Sequence, residues 1–436
     1  MKKLAEVVNG EAYKHQIEGI LYILNHHYSI NGDDMGLGKS YQSIAAALIT
    51  ESKRIIVVCP AYLKYNWTNE FTKFSKRKLN IRQFTSSTTT DHINGEWDVL
   101  IMPYSQLHKG PANYAFKHAD FIIGDEIQYV KTMGSRRSKS FHKNLKETSS
   151  ERFVGLSGTV IENRVIEWFS PLVLCSYTKK PTNGYAVDYF FKNQFHFNTT
   201  FSLCTSFKMK GKIIRKWHGL KNAPMLEKIK KGKYLRRLTE EAIDLPDLIR
   251  KDISLRINHG QKQLKEAWTK HNIGSEETHL STRKSESARL KAEYTHEYVK
   301  GLLDDGVGPI IIFTDHLNSA ITLRVALEKK FNGRTINGNT SIEKRQEYVD
   351  EFQSGALDFM VLTIGAGSTG ITLTNARHLV FNDLSWVPAQ NAQAEKRIHR
   401  IGQKHKCVIH RIMGSVEDEM ITKALTEKML VLKEAL

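Results

Sequence analysis

No stretch of this sequence approaches the roughly 18 consecutive apolar residues that a membrane-spanning helix needs, so no membrane partner is expected. Residues 1–13 carry charges but no apolar core, which argues against a secretory signal. Cysteine is scarce: Cys59, Cys175, Cys204 and Cys407 form no C-x-x-C pair and have no histidine at zinc spacing. A disulfide scaffold is thereby excluded, and a reduced, cytoplasmic-type compartment fits best. No short unit recurs in tandem. Acidic residues are also in deficit, with 46 aspartates and glutamates against 64 lysines and arginines, a formal net charge of +18 and a pI near 9.5. Such an imbalance favours a polyanionic partner, most simply nucleic acid. The remaining composition, 40% hydrophobic and 25% charged over 436 residues, is that of a globular protein with two or three domains.

The first third alternates short apolar runs with helical patterns. Residues 54–59 (RIIVVC), 97–102 (WDVLIM) and 120–124 (DFIIG) read as strands covered on both faces, and 41–50 as a helix. This rhythm predicts a parallel sheet with crossover helices. It stops near Tyr177. Residues 176–250 hold 16 lysines and arginines against six acids. Within them, 203–207 and 213–217 flank Lys210-Gly211-Lys212 and predict a β-hairpin. Residues 258–300 are charged and mostly helical in pattern, except that 274–287 (GSEETHLSTRKSES) has little apolar content and reads as a loop or hinge. Strand patterns return at 309–314, 359–363 and 378–382. The expected architecture is therefore α/β: one lobe over 1–177, a basic, partly helical insertion over 178–287, and a second lobe over 288–436.

The segment Asp33-Asp34-Met35-Gly36-Leu37-Gly38-Lys39-Ser40 runs into a helical pattern. Its glycines allow a tight backbone whose N–H groups can surround phosphate oxygens at a helix N-terminus. Lys39 would reach the β- and γ-phosphates, and the Ser40 hydroxyl would ligate Mg²⁺. The general pattern has glycine where this chain has Asp33. Some 85 residues on, the apolar run 121–124 ends in Asp125-Glu126, acids at the strand end where α/β sheets bind ligands. Asp125 can hold Mg²⁺, and Glu126 can accept a proton from attacking water. Far downstream, Arg397 and Arg400 stand at i, i+3 and would share one face of a helix. Two arginines aimed at a γ-phosphate would stabilise charge developing in the transition state.

Together these motifs resemble those of the Swi/Snf-type superfamily 2 helicases, in the family's order and over most of the chain. Tyr13-Lys14-His15-Gln16 is similar to the upstream glutamine motif, and an acid at position 33 is usual in the group. The segment 57–60 with Trp67 and Glu70 resembles motif Ia, 102–105 the next strand end, 124–128 motif II and 156–159 with Asn163 motif III. Gln128 stands where the family usually has histidine. In the second half, 313–316 resembles motif IV, 338–345 the segment after it, 365–373 motif V with Trp386 and Pro388 as its extension, and 393–403 motif VI.

The resemblance implies two RecA-like lobes that ATP–Mg²⁺ closes and hydrolysis reopens, stepping along DNA through backbone contacts. It implies ATP contacts at Gln16, Gly36, Gly38, Lys39, Ser40 and Gly370, metal contacts at Ser40 and Asp125, and arginine fingers at Arg397 and Arg400. It places Pro60, Ser105, Thr159, Thr314, Thr372 and Trp386 along the DNA path. The basic insertion adds Lys210, Lys212, Arg215 and Trp217 as DNA contacts. Residues 208–237 carry 12 basic residues and one acid, a density suited to duplex or junction phosphates. Phe207, Met209 and Trp217 could stack on exposed bases or pack beneath the insertion.

Within the family, Trp217-His218-Gly219, Leu235-Arg236-Arg237-Leu238 and Leu245-Pro246 look most like the fork-remodelling or annealing branch and phage-encoded branch-migration helicases. The expected protein is a monomeric ATP-dependent motor on branched, forked or duplex DNA, cytoplasmic in a bacterial or phage-infected cell. No obvious protein-docking domain appears in the sequence. A general double-stranded DNA translocase that displaces bound proteins is one rival. An RNA helicase is another, and a nucleotide-gated DNA binder without useful turnover a third.

Overall fold

Runs such as 55–59, with no polar alternation, are accommodated in a sheet covered on both faces, and the computed structural model places them there. It describes residues 2–178, 191, 193–209, 212–254, 276–367, 371–414 and 416–436. Lys210 and Gly370 lie outside the described residues, as do the side chains of Met209 and Lys212. The chain forms two compact units, Met1–Ala242 with Leu430–Leu436, and Ile243–Met429.

Unit 1 contains β1 (Tyr28–Asn31), β2 (Ile55–Cys59), β3 (Ile81–Gln83), β4 (Val99–Pro103), β5 (Phe121–Asp125) and β6 (Arg152–Leu156). The basic segment adds β7 (Leu203–Met209), β8 (Lys212–His218) and β9 (Tyr234–Leu235). Seven of these strands make one sheet in the order β3-β4-β2-β5-β6-β1-β9, with parallel pairing throughout. Alternate residues of β2 enter opposite cores: Ile56 and Val58 pack on one side, Ile55, Val57 and Cys59 on the other. Fully burying a side chain of this kind stabilises by about 1.5–3 kcal/mol, so this strand alone anchors the sheet to both layers.

Because every strand of the sheet points the same way, the segments that follow β1, β2, β4, β5 and β6 all emerge at one edge. These segments are the ones that carry the glycine loop, Pro60, Ser105, Asp125-Glu126 and Thr159. The expected hairpin is present as β7–β8, an antiparallel pair in register from Leu203↔His218 to Met209↔Lys212. It forms a two-stranded sheet of its own. Unit 1 is completed from far along the sequence: Leu432 and Ala435 are buried in its core, and Trp168 Nε1 donates to the Ala435 carbonyl at 3.0 Å.

Unit 2 holds β10 (Leu248–Ser254), β11 (Ile310–Thr314), β12 (Gly333–Ile336), β13 (Phe359–Thr363), β14 (His378–Phe381) and β15 (Cys407–Met413). They form a second parallel sheet, β10-β15-β14-β11-β13-β12. Ile311 and Phe313 face one core, Ile310 and Ile312 the other. Both units are thus α/β lobes built on parallel sheets covered on both faces, as expected.

One expectation is corrected. Residues 276–287 are not a loop: the helix Glu276–Asp304 runs through them. Its polar residues are absorbed by partners in unit 2. Arg283 pairs with Glu417 at 2.7 Å, Lys284 with Asp315 at 2.5 Å and Lys291 with Asp418 at 2.5 Å, while Ala288, Leu290 and Ala292 are buried. Tertiary pairing makes up for the apolar content that the sequence lacks there.

Candidate nucleotide site

The glycine loop follows β1 and ends at Gly38, whose φ of +76° caps the helix Lys39–Ile49 in the left-handed region. A side chain there would be strained, and its Cβ would overlap the Gln16 amide, which packs directly on the loop. Gln16 is itself fixed: its Oε1 accepts from the Tyr13 N–H at 3.1 Å. His15 Nε2 lies 3.1 Å from the Leu37 carbonyl. The glutamine motif and the phosphate loop are therefore one packed element.

The Lys39 ammonium donates to the carbonyls of Asp33 at 2.7 Å and Asp34 at 3.0 Å. Burial lowers its pKa, against the opposing pull of Glu126, Asp33, Asp34 and Asp125. Inside the loop, Asn31 Oδ1 accepts from the Asp33 N–H at 3.0 Å. Gln42 Nε2 bridges Asp33 Oδ2 and the Leu37 carbonyl, each at 3.1 Å.

At the end of β5, Asp125 accepts from Trp67 Nε1 at 2.8 Å and from the Glu126 N–H at 2.9 Å. The Tyr104 hydroxyl donates to its main-chain oxygen at 2.8 Å. Burial, with the Glu126 carboxylate beside it, pushes Asp125 up to about 7, while Trp67 and Lys39 pull it down. Glu126 has φ +52°, a left-handed conformation uncommon for a side-chain residue, and that turn carries it off the strand. Gln128, in the usual histidine position, donates from Nε2 to Glu126 Oε2 at 2.6 Å. The half-buried Asp125 carboxylate with Glu126 beside it, together with the half-buried Ser40 hydroxyl, is a hard-oxygen donor set that fits Mg²⁺.

The other expected positions are less uniform. In unit 1, Ser105 is exposed, Thr159 half-buried and Pro60 buried. In unit 2, Thr314 is buried and its hydroxyl donates to Asp383 Oδ1 at 2.5 Å. Asp315, His316 and Asp383 lie close enough together to ligate a cation, but the Lys284 ammonium already sits on Asp315. Thr372 and Trp386 are half-buried. Arg397 and Arg400 do not share a helical face. The helix Pro388–Glu395 ends before them, with Lys396 as its C-cap, and both lie in turns. Arg397 is buried and its Nη1 donates to the Ile371 carbonyl at 3.3 Å, whereas Arg400 is half-buried.

On the hairpin, Phe207 and Ile213 are 47% and 58% exposed, and Lys208, Arg215 and Lys216 are exposed beside them. Trp217 meets Phe195 edge-on at 5.8 Å, and the Arg215 guanidinium lies 5.8 Å from the Phe195 ring. Sequence reasoning did not foresee that Trp67, Tyr104 and Gln42 hold the loop and the acids. Nor did it give Arg237 a role, although a buried acid at position 33 demands a cation from elsewhere.

The SNF2-related domain family matches residues 15–299, and the helicase conserved C-terminal domain matches residues 291–402. The human protein "DNA annealing helicase and endonuclease ZRANB3" is 28% identical over 439 residues, covering 92% of this chain and 38% of that protein. A Drosophila melanogaster SWI/SNF-related matrix-associated actin-dependent regulator of chromatin subfamily A-like protein 1 is 27% identical over 418 residues, covering 92% and 53%. This chain therefore spans about two fifths to one half of these relatives' lengths. A solved "Sulfolobus solfataricus SWI2/SNF2 ATPase core in complex with dsDNA" is 21% identical with a TM-score of 0.43, covering 98% of this chain and 93% of that one. With the family matched over more than half its residues, the chain belongs to the SNF2-related family and carries a helicase conserved C-terminal domain.

Proposed function

We propose that the protein remodels branched or forked DNA, using ATP turnover to drive branch migration or fork unwinding. The observation that supports this reading is the β7–β8 hairpin, which sets two exposed apolar side chains, the aromatic Phe207 and Ile213, among the cations of Lys208, Arg215 and Lys216. A plain duplex offers phosphates but no open base faces, whereas a fork offers both. Aromatic and apolar side chains set among cations suit the fork. The resemblance to annealing helicases points the same way.

In the reaction, the phosphate loop and Gln16 bind ATP. Lys39 exchanges the loop carbonyls for phosphate oxygens. Ser40 and Asp125 would hold Mg²⁺, which supplies charge neutralisation on the phosphates when bound. Glu126, oriented by Gln128, accepts the proton of the attacking water. Arg397 and Arg400 act as the arginine fingers on this reading. Ser105, Thr159, Thr314, Thr372, Pro60 and Trp386 are assigned to the DNA path.

The test is ATP turnover by the purified protein alone and with single-stranded DNA, duplex, forks, four-way junctions and RNA, using Lys39→Ala to exclude contaminating ATPase. Stronger stimulation by forks or junctions than by duplex, falling steeply with salt, is expected. Equal stimulation by duplex would leave a general translocase that displaces bound proteins. Stimulation by RNA alone would make the protein an RNA helicase.

A further inference from the structure

Asp33 is fully buried within the phosphate loop. A carboxylate in that setting is costly unless paired. Its partner arrives from more than 200 residues away. Arg237 Nε donates to Asp33 Oδ1 at 3.0 Å, and Arg237 Nη2 pairs with Asp33 Oδ2. This is the two-point geometry that only a guanidinium supplies. The same side chain reaches the His15 carbonyl and, at 3.3 Å, the Glu18 carboxylate. Gly19 leaves the room this requires, since a Cβ there would overlap both the Gln42 amide and the Arg237 guanidinium.

The neighbours of Arg237 grip the loop as well. Arg236 Nη1 lies 3.2 Å from the Gly32 carbonyl and 3.3 Å from that of Gly158. Thr239 Oγ1 donates to Asp34 Oδ2 at 2.9 Å. Main-chain bonds run from Ile30 N to Lys233 O, from Gly32 N to Leu235 O and from Asp34 N to Arg237 O, at 2.7, 2.7 and 3.0 Å. The loop residues so held, Asp33 and Asp34, are the two whose carbonyls carry Lys39. The gripping strand β9 lies in the same basic segment as the hairpin, joined to it by the helix Ala223–Lys230, whose Leu226 and Ile229 are buried in unit 1.

We infer that Arg237 is a positioning residue for the ATPase: through Asp33 it holds the phosphate loop in nucleotide-ready form, and it does so from the segment that bears the hairpin. Nucleotide affinity is thereby linked to what that segment holds. By reciprocity, a nucleotide that shifts the loop shifts the segment's hold on DNA by the same factor. The link to DNA rests on the hairpin reading above; the positioning of the loop does not.

The test compares Arg237→Gln, Arg237→Lys and the double variant Arg237→Gln/Asp33→Asn with the unaltered chain. KM for ATP and kcat are measured without DNA and at saturating duplex, beside the melting temperature. Arg237→Gln should raise the DNA-free KM by about 5–150-fold, the range of typical coupling between sites, with a smaller change in kcat. Arg237→Lys should recover little of this, because an ammonium cannot reproduce the paired contacts. The double variant removes the stranded charge and should regain melting temperature, yet keep the raised KM and lose the shift in KM that duplex causes. If Arg237→Gln does not fold, the double variant decides alone. A native KM with and without duplex in any folded variant lacking Arg237, whatever its melting temperature, would overturn the inference. A raised DNA-free KM together with absent fork preference in the unaltered chain would uphold the positioning role and sink the hairpin reading instead.

Discussion

In unit 1, Asp125 closes β5, Glu126 follows it and Lys39 opens the helix after the glycine loop, and each is tied to a second group. Lys39 rests on loop carbonyls, Asp125 on Trp67, and Glu126 on Gln128. In unit 2 the candidate arginines lie beyond the end of a helix, in turns, Arg397 buried and bonded to the Ile371 carbonyl and Arg400 half-buried. A group at the carboxyl end of a buried parallel strand inherits the rigidity of the sheet. A group in a turn moves at lower cost. The contrast is between groups fixed around the end of a sheet and groups carried in turns.

That contrast can be broken in four places. The largest effect is expected in unit 2: with Arg400 as an arginine finger, as proposed, Arg400→Ala should lower kcat by about 10³–10⁵-fold, with ATP affinity nearly unchanged by direct binding. An unaltered kcat would remove Arg400 from the site. Next comes the preorganised base. Glu126→Gln should reduce turnover by about 10²–10⁴-fold while nucleotide still binds; fast hydrolysis would reassign the base. Trp67→Phe probes whether the support matters as well as the group supported. Losing its N–H to a charged partner costs about 1.5–3 kcal/mol, so kcat/KM should fall at least tenfold, and a native value would make the Asp125 contact incidental. The smallest effect lies on the hairpin. Phe207→Ala should weaken fork binding relative to plain duplex by about fivefold or more, given about 1–3 kcal/mol per stacked base. Equal weakening on both substrates would point to loss of hairpin structure.

The legibility of the sequence follows the same divide. Strand β13 coincides with its apolar run, β2, β5, β11 and β14 lie within a residue of theirs, and β4 within two. Unbroken apolar runs of this length have few other ways to be buried. The glycine loop and the hairpin were also readable, because both depend on local geometry. Strand β9, of two residues, carries no pattern and exists because β1 has a free edge beside it. The helix over 276–287 was hidden because its charges are answered by Asp315 and Glu417, far along the chain. Arg237 was hidden likewise: Leu235-Arg236-Arg237-Leu238 looks like surface until the acid it serves is known to be buried. Local rules do not carry contacts across 200 residues.

The return of residues 430–436 to unit 1 bears on the order in which the molecule can be made. Lys230 Nζ donates to the main-chain oxygens of Ala435 and Leu436, each at 3.0 Å, and Trp168 to the first of these. Unit 1 leaves the ribosome first, but its core lacks Leu432 and Ala435 until all of unit 2 has been synthesised. At about 5–20 residues per second, that is a wait on the order of 10–40 s. Over that interval Trp168 and Lys230 lack these partners, and the nascent chain is exposed to misassociation before the first unit is finished.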